Sequence, residues 1–183
     1  NNSADTNGGG IYNENNLTLV GSTVHTNHAG AAGGGVSEVG GGIFNEGTLV
    51  MSHSTVRNNT ADDSGGISND GGSATIRYST INNNTSISAA GLRNTNSATA
   101  VLSNTTVAGN SASAGAGGIA NSAGSVLELS SVTVAFNVAD SDASNFGDGG
   151  GLSNAGTAVV RNSILGENVD ASPSGTIFPD CSG

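Results

Sequence analysis

The chain is poor in the residues on which many protein functions depend. Its 183 residues include no tryptophan, one cysteine and only four lysine-plus-arginine residues in total, against fourteen aspartates and glutamates. The four cations are all arginines, and the formal net charge is −10. Electrostatic binding to nucleic acid or to an anionic membrane surface is therefore not expected.

Other scarce features exclude further kinds of structure and binding site. The single cysteine, Cys181, cannot form an internal disulfide. No apolar run approaches the length of a transmembrane helix, so we expect no membrane insertion by this segment. Four Phe, two Tyr and no Trp supply few rings for carbohydrate recognition by aromatic stacking.

Low charge and thirty glycines could indicate disorder, but the apolar residues fall in register. They make up 34% of the chain and recur within six copies of one pattern. Each copy begins with small residues, followed by Ile or Leu, then any one residue, then Asn. About a dozen residues later, an apolar residue is followed three positions on by a second Asn. Such a repeat indicates a unit that buries its apolar face by stacking on copies of itself.

Two sets of asparagines define the register. The Ile or Leu beside the first Asn recurs at spacings of 32, 24, 25, 27 and 33 residues, so the basic unit is about 24 residues. The first set is Asn13, Asn45, Asn69, Asn94, Asn121 and Asn154. The second set is Asn27, Asn59, Asn84, Asn110, Asn137 and Asn168.

The pattern predicts an all-β, parallel β-helix of about six turns, formed by residues 1–183 as a single domain. Apolar residues alternate along short segments rich in Val, Ile and Thr, which favours strands. We expect three strands and three apolar residues in each turn, with every strand pairing in parallel with its copy one turn away. Six turns would form a rod roughly 30 Å tall.

The asparagines are predicted to be structural. An Asn amide can bond both to nearby backbone and to the next Asn of its column, so two hydrogen-bonded ladders are expected at two corners. The glycine pairs mark a further corner where the backbone approaches closely or takes a positive φ. Extra residues fall only in Ala29–Gly40 and Asp140–Gly149, which predicts that insertions occupy one surface corner.

The first residues match the interior of the repeat. Asn1 to Asp5 resembles Asn58 to Asp62, so the chain is expected to begin partway through a turn and to have uncapped ends. Two interpretations stay open. The chain is a segment of a longer one, or its open ends associate with other copies and form filaments.

One inserted loop has the composition of a cation site. Asp140, Asp142, Asn145 and Asp148 place oxygen donors at intervals along Asp140–Gly149. A hard cation with six to eight oxygen ligands suits such a set, so calcium is the predicted ligand. The loop lacks the spacing and closing Glu of an EF-hand, and a solvated acidic loop is the alternative.

An active site is weakly supported by the predicted outward columns. A lyase or hydrolase on such a fold needs clustered carboxylates and a basic residue on one face. One outward column offers the single carboxylate Glu128, and another places Arg77 and Arg161 three turns apart. No catalytic residue and no cofactor other than calcium is therefore predicted.

The repeats resemble those of a known group of proteins. The segments that carry the resemblance are Gly8 to Asn13, Leu17 to Leu19, Ser22 to Val24, Asn162 to Leu165 and Pro179 to Gly183. They are similar to the Asn- and Gly-rich right-handed parallel β-helix repeats of bacterial secreted proteins that often carry CSLREA-type or choice-of-anchor domains, within the pectate-lyase-like superfamily. They also resemble repeats of chlamydial polymorphic outer-membrane proteins, although the Phe of that motif is absent.

The resemblance covers the whole chain and implies an extracellular or cell-surface protein. It implies a non-enzymatic structural or adhesin-like role, such as a stalk or scaffold, with a host-cell, matrix or glycan ligand as partner. The alternative that it leaves open is a polysaccharide lyase or hydrolase of the same superfamily.

Overall fold

The structure is a computed structural model that describes residues 2–30 and 39–183. In those residues every regular element is a β-strand, and no helix is long and apolar enough to cross a membrane. The strands coil into about six turns, and every strand pair is parallel. The predicted all-β parallel β-helix is confirmed.

Each turn contributes strands to four parallel sheets, named A to D in chain order. Sheet A contains Ser3–Ala4, His28–Ala29, Thr60–Ala61, Thr85–Ser86, Ser111–Ala112, Val138–Ala139 and Val169–Asp170. Sheet B contains Ile11–Asn13, Ile43–Asn45, Ile67–Asp70, Leu92–Thr95, Ile119–Asn121, Leu152–Asn154 and Cys181–Ser182. Sheet C contains Asn16–Val20, Thr48–Ser52, Ser73–Arg77, Thr99–Ser103, Val126–Ser130 and Thr157–Arg161. Sheet D contains Thr23–His25, Thr55–Arg57, Thr80–Asn82, Thr106–Ala108, Thr133–Ala135 and Ile164–Gly166.

The prediction of three strands per turn is wrong, because the turn has four. The second Asn of each copy bends the chain, and the two residues that follow it pair as a separate sheet. Thr60–Ala61, for example, pairs with His28–Ala29. A strand of two residues is too short to show an alternation in the sequence, which is why sheet A was not predicted.

The core consists of columns of side chains that run along the axis. The three predicted apolar columns are confirmed by the register, as in Ile67 over Ile43, Ile76 over Met51 and Ile81 over Val56. Two inward columns were not predicted. One starts at Leu17 and includes Leu49 in sheet C, and the other consists of small residues in sheet A such as Ala29 and Ala61. The larger apolar side chains of the interior form one continuous cluster.

Glycines stand immediately before the sheet B strands of the six turns, where the backbones of successive turns meet. A Cβ added at Gly91 would lie 2.3 Å from the carbonyl oxygen of Gly118 in the next turn, and one at Gly66 would lie 2.4 Å from that of Gly91. No side chain fits between these backbones. The expected close approach is confirmed at this column.

Two corners turn through residues in the left-handed region. Between sheets C and D the column is Gly21, His53, Tyr78, Asn104, Ser131 and Asn162, all with positive φ. Between sheets D and A it is Thr26, Asn58, Asn83, Gly109, Phe136 and Glu167, again all with positive φ. This conformation is costly for a bulky or β-branched residue, so Thr26, Tyr78 and Phe136 are held in it by the surrounding turns.

The corner between sheets A and B varies most in length. Both insertions predicted for one corner, Ala29–Gly40 and Asp140–Gly149, lie between a sheet A strand and a sheet B strand. Most of the first insertion lies outside the described residues. The second is described in full and borders the candidate site.

Candidate functional site

The first asparagine set forms an unbroken ladder at the end of sheet B. From Asn13 to Asn154, each Nδ2 donates to the Oδ1 of the next member, at N···O distances of 2.6 to 2.9 Å. The same Nδ2 groups also donate to backbone carbonyls, as Asn45 does to the carbonyl of Gly47. The predicted ladder is confirmed.

The second set forms a more fully bonded ladder at the corner between sheets D and A. Each Oδ1 from Asn59 to Asn168 accepts both the backbone N–H and the side-chain Nδ2–H of the preceding member. The Nδ2 of Asn84 also donates to the carbonyl of Val56 at 3.2 Å. These buried amides therefore have partners for both donors and acceptors, as buried polar groups require.

The second ladder extends beyond its predicted members at both ends. The Nδ2 of Asn2 donates to Asn27 Oδ1 at 3.0 Å, as the match between the first residues and Asn58–Asp62 indicates. At the other end, Asn168 Nδ2 donates to the carboxylate of Asp180 at 3.0 Å. Asp180 lies only 12 residues from Asn168, so the spacing of the repeat gave no sign of this bond.

The outward columns have the predicted register. Glu128 lies between Val101 and Val159 on the outer face of sheet C. Arg77 and Arg161 share the next outward column and are separated by Ser103 and Ser130. Three turns correspond to roughly 14 Å at the spacing between strands. The only salt bridge found between described residues joins Arg93 to Asp63, at 2.6 Å.

Two glutamates, Glu14 and Glu46, lie beside an aromatic stack in the first turns of sheet B. The rings of Tyr12 and Phe44 stack with centroids 5.3 Å apart. The Tyr12 hydroxyl donates to Glu46 at 2.5 Å, and a carboxylate oxygen of Glu14 lies 3.3 Å from the same hydroxyl. The hydrogen bond to Glu46, partial burial and the nearby negative charges raise the pKa of Tyr12 to about 12. The phenol is therefore held protonated.

The predicted calcium ligands are differently placed from one another. Asp140 is buried, whereas Asp142, Asn145 and Asp148 are exposed. The Asn145 Oδ1 accepts hydrogen bonds from the N–H and the hydroxyl of Ser174. Throughout residues 2–30 and 39–183, no three His, Cys, Asp or Glu side chains gather as a metal-binding group. Calcium binding stays a prediction.

Asp140 organises the inserted loop through its carboxylate. Its Oδ1 accepts the N–H and the hydroxyl of Ser144, both at 2.9 Å, and its Oδ2 accepts the N–H of Asn145 at 2.9 Å. Burial alone would raise the pKa of this carboxyl, but the hydrogen bonds outweigh it and lower the pKa from 3.8 to about 2. The ionised carboxylate therefore fixes the start of the loop.

Asp170 plays a similar part for the segment that follows the last sheet A strand. It occupies an inward position that is Ala29 or Ala61 in earlier turns. Its carboxylate accepts hydrogen bonds from both donors of Ser172 and from the N–H of Phe178. Burial opposes these bonds, but together they lower the pKa of Asp170 below its ordinary value.

The inserted loop forms one wall of an open groove of about 480 Å³. The wall is formed by Asn145 to Asp148, and Phe146 at its tip is 73% exposed. Ala120 and Ser153, outward residues of sheet B, line the floor together with Ser88. The groove combines an aromatic ring, a carboxylate, an amide and hydroxyls, and the sequence pattern did not predict it.

Comparisons of the chain with protein-family models, with curated proteins and with solved structures find no match.

Proposed function

We propose that this chain is a non-enzymatic extracellular scaffold, the stalk-like part of an adhesin-like surface protein. The observation that carries the proposal is the pair of asparagine ladders, which run through all six turns without a break. The outward residues, in contrast, change from turn to turn, as in the series Tyr12, Phe44, Ser68 and Arg93 on sheet B. What repeats is the part that holds the turns together.

A stack of turns suits a spacer, because each turn contacts only its neighbours and the stack can change in length without changing its design. The variable corner between sheets A and B is where a scaffold of this kind would display partner-binding segments. The extracellular location is supported by the resemblance of the repeats to secreted surface proteins.

Removal of one whole turn tests the scaffold role. Deletion of residues 85–110 joins Asn84 to Ser111 and leaves both ladders in register. We expect this variant to fold, with a rod shorter by about 4.8 Å. A matched deletion of 85–97 removes half a turn and should prevent folding. If the whole-turn deletion also failed to fold, turns would not be interchangeable units.

Surface exposure and chemistry need separate measurements. Antibody against the purified chain should label intact cells that produce the protein, and labelling only after lysis would contradict the extracellular proposal.

Incubation of the purified chain with acidic and neutral polysaccharides should release neither unsaturated uronates nor new reducing ends. Release of either product would favour the lyase or hydrolase alternative.

Filament formation by end-to-end association stays a prediction. Electron microscopy of the purified chain tests it. Fibres would support it, and single short rods would contradict it.

A further inference from the structure

The groove beside Asp140–Gly149 has the features of a preformed ligand site. Its volume of about 480 Å³ lies in the range of ordinary small-molecule sites. Phe146 is the most exposed large apolar side chain found in the described residues, at 73%. A ring so exposed on an otherwise polar loop has no packing role.

The wall that carries Phe146 is fixed from both sides. Asp140 anchors the start of the loop through three hydrogen bonds, and Asn145 is bonded to Ser174 of the next turn. The Ser172 hydroxyl, which donates to Asp170 at 2.6 Å, also lies 3.4 Å from the carbonyl oxygen of Gly147. The ring is thus presented by an ordered wall, which lowers the entropic cost of binding.

The floor is open because its side chains are small. In sheet B the outward column begins with Tyr12 and Phe44 and includes Arg93, but it continues with Ala120 and Ser153 below the loop. A large residue at either of the last two positions would project into the groove. The hydroxyls of Ser88 and Ser153 have no hydrogen-bond partner within the described part of the chain.

We propose that this groove binds a neutral saccharide. An exposed ring can stack on the apolar C–H face of a sugar, while Asp148, the Asn145 amide and the serine hydroxyls can bond to its hydroxyl groups. Asp148 is the only charged residue among those that line the groove, and the net charge of −10 disfavours an anionic sugar. The composition argued against stacking on many rings, but one exposed ring on a hydrogen-bonded loop is sufficient for a single sugar subsite.

The proposal goes beyond the scaffold role and does not depend on it. Isothermal titration of the purified chain with tetrasaccharides of glucose, mannose, galactose or N-acetylglucosamine tests it. We expect at least one of the four to bind. Phe146→Ala and Asp148→Ala should each weaken that binding roughly tenfold, the loss expected for one stacking contact or one charge-assisted hydrogen bond.

Phe136→Ala is the matched control, because Phe136 is also an exposed loop phenylalanine, at 64%, but lies at the corner between sheets D and A. It should leave the affinity unchanged, and all three variants should melt as the parent does. The proposal is overturned if no neutral tetrasaccharide binds, if only oligogalacturonate binds, or if Phe146→Ala binds as tightly as the parent. Cell-surface labelling reports on the scaffold role separately, so either proposal can fail alone.

Discussion

At the scale of the residue, Asn84 connects three successive turns. Its Oδ1 accepts the N–H and the Nδ2–H of Asn59, and its Nδ2 donates to Asn110 and to the carbonyl of Val56. The side chain is fully buried. No other residue type offers two donors and an acceptor of this size without charge.

Asn84→Ala should lower the free energy of unfolding by about 3 kcal/mol, because the buried N–H of Asn59 loses its acceptor and a cavity is left. Urea denaturation measures the change. The control is Asn83→Gly at the neighbouring exposed position, where φ is +54° and glycine is well suited. Equal effects of the two substitutions would mean that the ladder contributes little to stability.

Thr26, in contrast to Asn84, is a residue whose side chain is unfavourable for its own backbone conformation. It lies at φ +55°, a conformation that a β-branched residue rarely adopts. Thr26→Gly should raise the free energy of unfolding by about 1 kcal/mol. The reverse change in the same column, Gly109→Ala, should lower it by a similar amount, and a destabilising Thr26→Gly would show that the threonine side chain makes a compensating contact.

At the scale of the element, the glycine before a sheet B strand leaves no room for a side chain, as at Gly91. Gly91→Ala should lower the free energy of unfolding by roughly 3 kcal/mol, because backbone must move to accept the methyl group. Gly166→Ala in sheet D is the control, since nothing lies within 4 Å of its added Cβ. We expect that change to be neutral or slightly stabilising, as measured by urea denaturation.

The stability of the protein should depend on pH through Asp140, which anchors the inserted loop. Its folded pKa of about 2 lies below the ordinary 3.8, so the ionised form stabilises the fold at neutral pH. That contribution is complete above about pH 4 and is lost as the pH falls towards 2. Melting temperatures of the parent and of Asp140→Asn should therefore converge over this range.

Asp142→Asn is the control for the acid titration, because Asp142 is exposed in the same loop. Its melting temperature should follow that of the parent at each pH. A difference between parent and Asp140→Asn that stayed constant from neutral pH to pH 2 would mean that the ionised carboxylate does not hold the loop.

At the scale of the whole molecule, stability should decrease from the middle turns outward. Leu102 and Val107 are fully buried, whereas Val160 in the last turn is 44% exposed. Because each turn is stabilised by its neighbours, amide hydrogen exchange should be slowest near Leu102 and faster near Val160. Uniform protection would show that the six turns open as one unit.

The sequence allowed the repeating parts of the molecule to be predicted, and only those. The positions of Ile43 and Asn84 have an equivalent apolar residue or Asn in every turn, so this one sequence contains several copies of the pattern that can be compared. Sheet A was not predicted, because its strands are two residues long and cannot show an alternation of apolar and polar residues. Phe146 and Asp180 occur outside the repeat, and their positions depend on how the loop and the last segment fold back on the turns.

The ladders also give the rod an electrical direction. Within both columns each amide donates to the Asn that follows it in the chain, up to Asn154 in the first column and Asn168 in the second, so the side-chain dipoles point the same way and polarise one another. Their positive end faces the last turn, and there Asn168 meets the carboxylate of Asp180. The two directions along the axis are therefore electrostatically distinct, and a charged side chain beside a ladder interacts differently with the donor side and the acceptor side of each amide.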